Sequence, residues 1–148
     1  MGVVVTAALL ATALGLGLSA PAAAESTELG ESAEVELFEI EVDQEWTVDD
    51  LRPSTDVIAY QSNGTLWEAT TSVTLPQGGV PVVNGFSARS DGQSYPVLWT
   101  VATPQGIAPN ALPAGGEAGG KIYFDVTGAA PTSVAYSVNG QDVAVWGK

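Results

Sequence analysis

Between residues 66 and 75 apolar and polar side chains alternate without a break. Trp67, Ala69, Thr71, Val73 and Leu75 fall on one side, and Glu68, Thr70, Ser72 and Thr74 on the other. A period of two, carried by β-branched and aromatic residues, describes a half-buried strand. Two-residue turn signals then say how such strands pair. With Asn63-Gly64 as a tight turn, Tyr60 faces Trp67 and Ile58 faces Ala69. With Asp91-Gly92 as the turn, Phe86 faces Val97 and Ala88 faces Tyr95. With Asn139-Gly140 as the turn, Tyr136 faces Val143 and Val134 faces Val145. Apolar meets apolar on one face in each case, which predicts antiparallel hairpins.

The rest of the chain follows the same pattern. Residues 121–127 put Ile122, Phe124 and Val126 on one side, and Pro96 demotes its strand to a sheet edge or a bulge. Val35 and Leu37 are apolar at odd positions, whereas Phe38, Ile40, Val42, Trp46 and Val48 are apolar at even ones. That slip of phase calls for a β-bulge or a switch of sheet. Residues 48–52 leave room for one helical turn before Pro53. Residues 102–120 read as a long Pro/Gly/Ala connection, a length that is functional or mobile when it occurs inside a compact domain. Eight or nine short strands predict an all-β, antiparallel two-sheet sandwich over residues 25–148, with a closed barrel as the alternative. The chain has no Cys, so its core alone must hold it together. Most of the four Trp residues belong in that core, and Trp146, opposite the Val143/Val145 face, has the best claim to exposure.

The first residues are of a different kind. Residues 3–18 carry no charge and lead through Ser19, Ala20 and Pro21 to Ala22-Ala23-Ala24. An apolar run ending in Ala-x-Ala is a secretory signal peptide over residues 1–24, cleaved between Ala24 and Glu25. A membrane anchor is the alternative, but the run is short for a bilayer of about 30 Å. Met1-Gly2 supplies no basic residue ahead of it. The expectation is a secreted, extracellular protein with no membrane span after cleavage.

Charge is concentrated near the start of that mature chain. The net charge is −13, and eleven of the seventeen acids lie in residues 25–50 with no base among them. Glu34, Glu36, Glu39 and Glu41 alternate with apolar residues and should project from one strand face. They form either a solvated edge whose like charges discourage pairing with another sheet, or a recognition edge for a cation or basic partner. Nucleic acid and anionic membrane surfaces are disfavoured as partners, because phosphate needs basic groups. Catalytic chemistry is thin. Without His or Cys there is no Ser-His-Asp triad, no thiol nucleophile and no ordinary zinc site. Residues 115–121 copy the glycine and lysine spacing of a phosphate loop, but Ile122 stands where a Ser or Thr should bind Mg²⁺, and the loop opens a strand. Glu68, Asp125 and Asp142 sit on predicted strands as outward residues that nothing pairs, and a Ser/Lys dyad on Lys121 needs a desolvated lysine. Residues 112–116 are a Pro/Gly loop, Asn63-Gly64-Thr65 is explained by its turn, and no Asp-rich calcium loop occurs. No catalytic, cofactor-binding or metal residue is expected, and no cofactor.

Several stretches carry a resemblance. Asp50-Leu51-Arg52-Pro53-Ser54-Thr55, Leu66-Trp67-Glu68-Ala69-Thr70, Ser87-Ala88-Arg89, Tyr95-Pro96-Val97-Leu98-Trp99 and Gly120-Lys121-Ile122-Tyr123-Phe124-Asp125-Val126-Thr127-Gly128 resemble the small secreted immunogenic antigens of mycobacteria, the MPT sixty-three type. The likeness runs from Trp46 to Trp146, and residues 120–128 are its most specific part. It implies an immunoglobulin-like antiparallel β-sandwich, exported by a signal peptide and free of cysteine, with no established molecular function and no catalytic residues to carry over. The acidic run over residues 25–45 is denser here than in that family. The resulting expectation is a secreted non-enzymatic sandwich that binds an unknown protein or surface partner at or outside the cell surface. A cell-envelope structural component and an exported carboxylate-dependent hydrolase are the alternatives.

Overall fold

A computed structural model of the chain describes residues 24–37, 42–101 and 103–147. The expected signal peptide falls on residues outside that set, apart from Ala24, and so do Glu39 and Glu41. None of the described residues is helical. The strands are β1 (Glu25–Glu28), β2 (Ser32–Leu37), β3 (Val42–Pro53), β4 (Thr65–Leu75), β5 (Phe86–Ser90), β6 (Gln93–Pro96), β7 (Gly116–Val126), β8 (Ser133–Val138) and β9 (Gln141–Gly147). They form a five-stranded sheet in the order β1-β9-β8-β5-β6 and a four-stranded sheet in the order β2-β3-β4-β7. All pairs are antiparallel except β1 with β9, which run parallel.

The two sheets face each other across the apolar positions that alternation marks. Val35, Trp46, Val48, Ala69, Val73, Leu75, Ile122, Phe124 and Val126 come from the four-stranded sheet. Phe86, Ala88, Tyr95, Val134, Tyr136, Ala144 and Trp146 come from the other. Aromatic rings fix the centre. Phe86 meets Trp46 edge-on at 4.9 Å and Tyr136 edge-on at 4.8 Å. Each such pair adds about 1 kcal/mol beyond the area it buries.

Two of the three expected hairpins form. Around Asp91-Gly92, Ala88 faces Tyr95, and the N–H of Val97 donates to Phe86 O (3.1 Å). The strand carrying Pro96 is the edge of its sheet, as a residue without an N–H requires. Around Asn139-Gly140 both central residues have positive φ (53° and 79°), the signature of a type I′ turn. Val138 faces Gln141 and Ser137 faces Asp142, but a bulge at Tyr136/Ser137 then shifts the register, so Tyr136 faces Ala144 and Val134 faces Trp146. That one-residue shift turns Trp146 inward, where it is fully buried. The exposed tryptophan is Trp99.

The Asn63-Gly64 hairpin does not form. β4 pairs with β3 through Pro53 and Trp67, and residues 54–64 are not strand. Three further expectations are corrected. No switch of sheet accompanies the phase slip after Leu37, because Leu37 faces Val42 and β2 lies antiparallel beside β3 in one sheet, while Phe38 and Ile40 lie outside the described residues. Residues 48–52 continue β3 with a bulge between Asp49 and Arg52, where Asp50 takes φ 53°. The connection expected over 102–120 ends earlier, since Gly116 to Gly120 pair with Leu75 to Thr71.

Candidate functional site

The outer face of β4 and β7 carries the densest polar cluster among the described residues. Glu68 stands opposite Tyr123, and Thr70 opposite Lys121. Alternation points Glu68, Lys121, Tyr123 and Asp125 away from the core, so all four should meet solvent. Residues 54–64 instead cross this face, and Glu68 is left 2% exposed. A buried carboxylate needs partners, and it has them. Ser54 Oγ donates to Glu68 Oε1 (2.7 Å), Arg52 Nε to Oε2 (3.3 Å), and Lys121 Nζ lies 3.1 Å from Oε2. Lys121 Nζ also donates to Asp56 Oδ2 (2.9 Å), as does the Tyr123 hydroxyl (2.7 Å). At the other end of the crossing segment, Asp125 accepts from the N–H groups of Asn63 (2.8 Å) and Gly64 (2.9 Å) and from Tyr60 Oη (2.9 Å).

These contacts decide the chemistry. The Tyr123 hydroxyl, and then Lys121, hold the Asp56 carboxyl below its ordinary value. Asp56, and then Glu68, hold Lys121 protonated above its own. Burial and then Asp56 push the Tyr123 phenol up. Burial works against the Asp125 carboxylate, but the N–H groups of Asn63 and Gly64 outweigh it and leave the carboxyl lowered. A general acid at neutral pH needs a raised carboxyl, and a Ser/Lys dyad needs a neutral amine. This cluster enforces the opposite on both, and the Ser54 hydroxyl is engaged as a donor to Glu68. It is a clasp that fastens residues 54–64 to the sheet. Asp142 is closed in the same manner. Arg89 grips it bidentately at 2.8 and 2.9 Å, Ser137 Oγ donates to it at 2.7 Å, and Arg89 holds its carboxyl down.

The acidic edge is partly in view. Glu34 and Glu36 are exposed on β2, directly opposite Glu45 and Asp43 of β3. Like charges therefore face one another across the strands. Glu39 and Glu41 lie outside the described residues. Glu25 opens β1, and its Oε1 accepts from the N–H of Glu34 (3.3 Å), while Ala24 precedes the strand. No group of three His, Cys, Asp or Glu among the described residues is arranged to hold a metal ion.

What remains open is a groove of about 690 Å³ beside the clasp. Pro81, Val82, Trp99, Pro104, Ile107 and Pro109 line it, and Lys121 and Tyr123 reach it from β7. Trp99 is 60% exposed there. One wall is anchored from the core. Gln44, 1% exposed, donates through Nε2 to Val80 O (3.0 Å) and accepts from the N–H of Val82 (3.1 Å), and Tyr136 Oη donates to Val82 O (2.7 Å). The other wall is tied to β7 by the Lys121 N–H donating to Gln105 O (2.8 Å). The sequence marks this wall only as a long Pro/Gly connection. The anchor, Gln44, had a signal: a polar residue at an even, inward position between Val42 and Trp46.

Comparison with known proteins gives consistent matches. The family described as a domain of unknown function, DUF1942, matches residues 24–146. Immunogenic protein MPB63 of Mycobacterium bovis and immunogenic protein MPT63 of Mycobacterium tuberculosis are each 46% identical to the chain over 104 residues, or 68% of it. The match spans 65% of the length of those relatives. The crystal structure of MPT63, described as a secreted protein from Mycobacterium tuberculosis, superposes with a TM-score of 0.79 at 40% identity. That superposition covers 86% of this chain and 100% of the other.

Proposed function

The chain belongs to the DUF1942 family, and from that premise we propose that it is an exported, non-catalytic β-sandwich that binds a partner at or outside the cell surface through the Trp99 groove. Its relatives are named as immunogenic proteins, and one is described as secreted. One observation carries the reading. The ionisable side chains that meet in the fold are spent on one another, whereas a tryptophan stands 60% exposed over an apolar groove. Exposed aromatics beside proline and aliphatic walls are typical of recognition surfaces. Rigid anchoring of the Val80–Val82 wall lowers the ordering cost of binding there.

The test compares residues 25–148 with the same protein carrying Trp99→Ala, for retention on cell-envelope fractions and on host-cell surfaces. Retention that falls at least about tenfold in the variant, with an unchanged melting midpoint, supports the reading. Equal retention, or turnover in a panel of ester, peptide and glycoside substrates, overturns it. Export has its own test. The intact mass of protein recovered from medium should correspond to a start at Glu25, and a membrane-bound species that retains Met1 would exclude the cleaved signal peptide.

A further inference from the structure

The chain contains three Asn-Gly steps: Asn63-Gly64, Asn84-Gly85 and Asn139-Gly140. All three asparagines are exposed, so the sequence gives no reason to separate them. Asn-Gly is the step most prone to spontaneous deamidation, because glycine leaves its own amide nitrogen free to reach the preceding side chain. The structure treats the three glycines differently, and we infer that Asn139 is a self-modifying site whose amide is lost in the folded protein while Asn63 and Asn84 are held.

In the reaction the Gly140 amide nitrogen gives its proton to solvent base and attacks Asn139 Cγ. The C–N bond to the side-chain amide breaks and ammonia leaves, closing a five-membered succinimide. Water then opens the ring. Attack at Cγ yields aspartate, and attack at the main-chain carbonyl yields isoaspartate. The net change is amide plus water to carboxylate plus ammonium, and no other reactant is needed.

Ring closure needs the glycine nitrogen free and the peptide plane able to turn. At Asn63 neither holds. The Gly64 N–H donates to Asp125 Oδ1 (2.9 Å) and the Asn63 N–H to Oδ2 (2.8 Å). Gly64 is also pressed so closely on β7 that a Cβ there would lie 2.1 Å from Val126 O. At Asn84 no hydrogen bond holds the Gly85 N–H among the described residues, but the peptide cannot turn: a Cβ on Gly85 would lie 2.7 Å from the Tyr136 ring, and Gly85 O accepts from the Ser137 N–H (2.9 Å). At Asn139 the surroundings are empty. Nothing lies within 4 Å of a Cβ built on Gly140, and no hydrogen bond holds its N–H among the described residues. The type I′ geometry must open for attack, but only the pairs Val138/Gln141 and Ser137/Asp142 separate the turn from the bulge. The Arg89–Asp142–Ser137 bonds clamp the second of these pairs, so opening is confined to the turn and the Val138/Gln141 pair, a short hairpin end of the kind that opens at little cost in free energy. The aspartate product keeps the turn, since Asp-Gly is itself a type I′ pair, whereas isoaspartate lengthens the main chain and spoils it.

The experiment incubates residues 25–148 at neutral pH and 37 °C, then measures the conversion of each asparagine to aspartate or isoaspartate by the masses of peptides and their fragments. Cleavage after Arg89 and Lys121 places Asn139 in a peptide apart from Asn63 and Asn84, which share residues 25–89 because Pro53 blocks cleavage after Arg52 and are separated by the masses of their fragment ions. Asn139 should convert at least about tenfold faster than the other two, and the three rates should converge in concentrated urea. Asp125→Ala should speed conversion at Asn63 and leave Asn84 as it is. Equal rates at the three sites in buffer, an Asn139 as stable as Asn63, or an Asn63 unmoved by loss of Asp125 would each overturn the inference.

Discussion

A carboxylate with 2% of its surface exposed is stable only if others complete its hydrogen bonds, and Glu68 draws on Arg52, Ser54 and Lys121 for that. The cost of removing it from water explains why residues 54–64 follow one path over the sheet. The tryptophans give a sharper test at the same scale. Trp146 fills the core, donates through Nε1 to Glu31 O (3.0 Å) and lies tilted against Phe86 at 5.9 Å, whereas Trp99 lines the groove and is exposed. Trp146→Ala should destabilise by about 3–5 kcal/mol, the scale of a large aromatic removed from a core. Trp99→Ala should change stability by less than about 0.5 kcal/mol. Thermal or urea melts of the two variants check this, and similar losses would mean that the inward register of β9 is wrong. Alternation counted Trp146 as outward because Val143, Ala144, Val145 and Trp146 are apolar in both phases, which hides the one-residue bulge. Glu68 was illegible for a related reason: its cover comes from residues remote in sequence.

At the scale of elements, local turn chemistry was readable and tertiary capture was not. Asp91-Gly92 and Asn139-Gly140 turn their own hairpins because nothing else competes for their backbone groups. Asn63-Gly64 has the same local chemistry, yet the Asp125 carboxylate takes both of its amides and ties the step to β7. Gly64 and Gly140 should therefore fail differently. Gly140→Val places a β-branched residue at φ 79° and should cost about 1–3 kcal/mol through backbone strain. Gly64→Ala meets no such strain but puts a Cβ 2.1 Å from Val126 O, so β4 and β7 must separate locally. Hydrogen exchange on the two variants separates the cases. Gly140→Val should loosen amides of β8 and β9, and Gly64→Ala those of β4 and β7. A common pattern in both would contradict this division. The glycine-rich start of β7 was also hidden, since Gly116 to Gly120 carry almost no side-chain pattern and pair only because β4 supplies the partner backbone.

For the molecule as a whole, charge sets the conditions of stability. Asp56, Asp125 and Asp142 have folded carboxyls below the ordinary value of 3.8. A lowered carboxyl adds stability that is complete above the unfolded value and is lost as pH falls through the folded one. Lys121 has the opposite sign: raised above 10.5, it adds stability that is complete below that value and is lost as pH rises past its folded one. The melting midpoint should thus hold level through neutrality, fall below about pH 4 and fall again at strongly alkaline pH. A midpoint at pH 3 equal to that at pH 6 would contradict the lowered carboxyls. The acidic edge acts on association. Glu34 faces Glu45 and Glu36 faces Asp43, so β2 exposes a sheet edge guarded by repulsion. Replacing Glu34, Glu36, Glu39 and Glu41 by Gln should increase self-association in light scattering while partner binding persists. Loss of binding by a variant that stays monomeric and folded would assign the edge to recognition instead.

The parallel pairing of β1 with β9 has a mechanical consequence. Tension drawn between Glu25 at the start of β1 and Gly147 at the end of β9 pulls two parallel strands along their length in opposite directions. Their hydrogen bonds are then sheared together, and no end can peel first, as it would in a hairpin drawn open from its mouth. The Leu29 N–H donating to Gly147 O (3.2 Å) and the Trp146 indole donating to Glu31 O (3.0 Å) load with them. A protein gripped at these two points should yield abruptly at one force, with the sandwich behind the clamp intact until it gives.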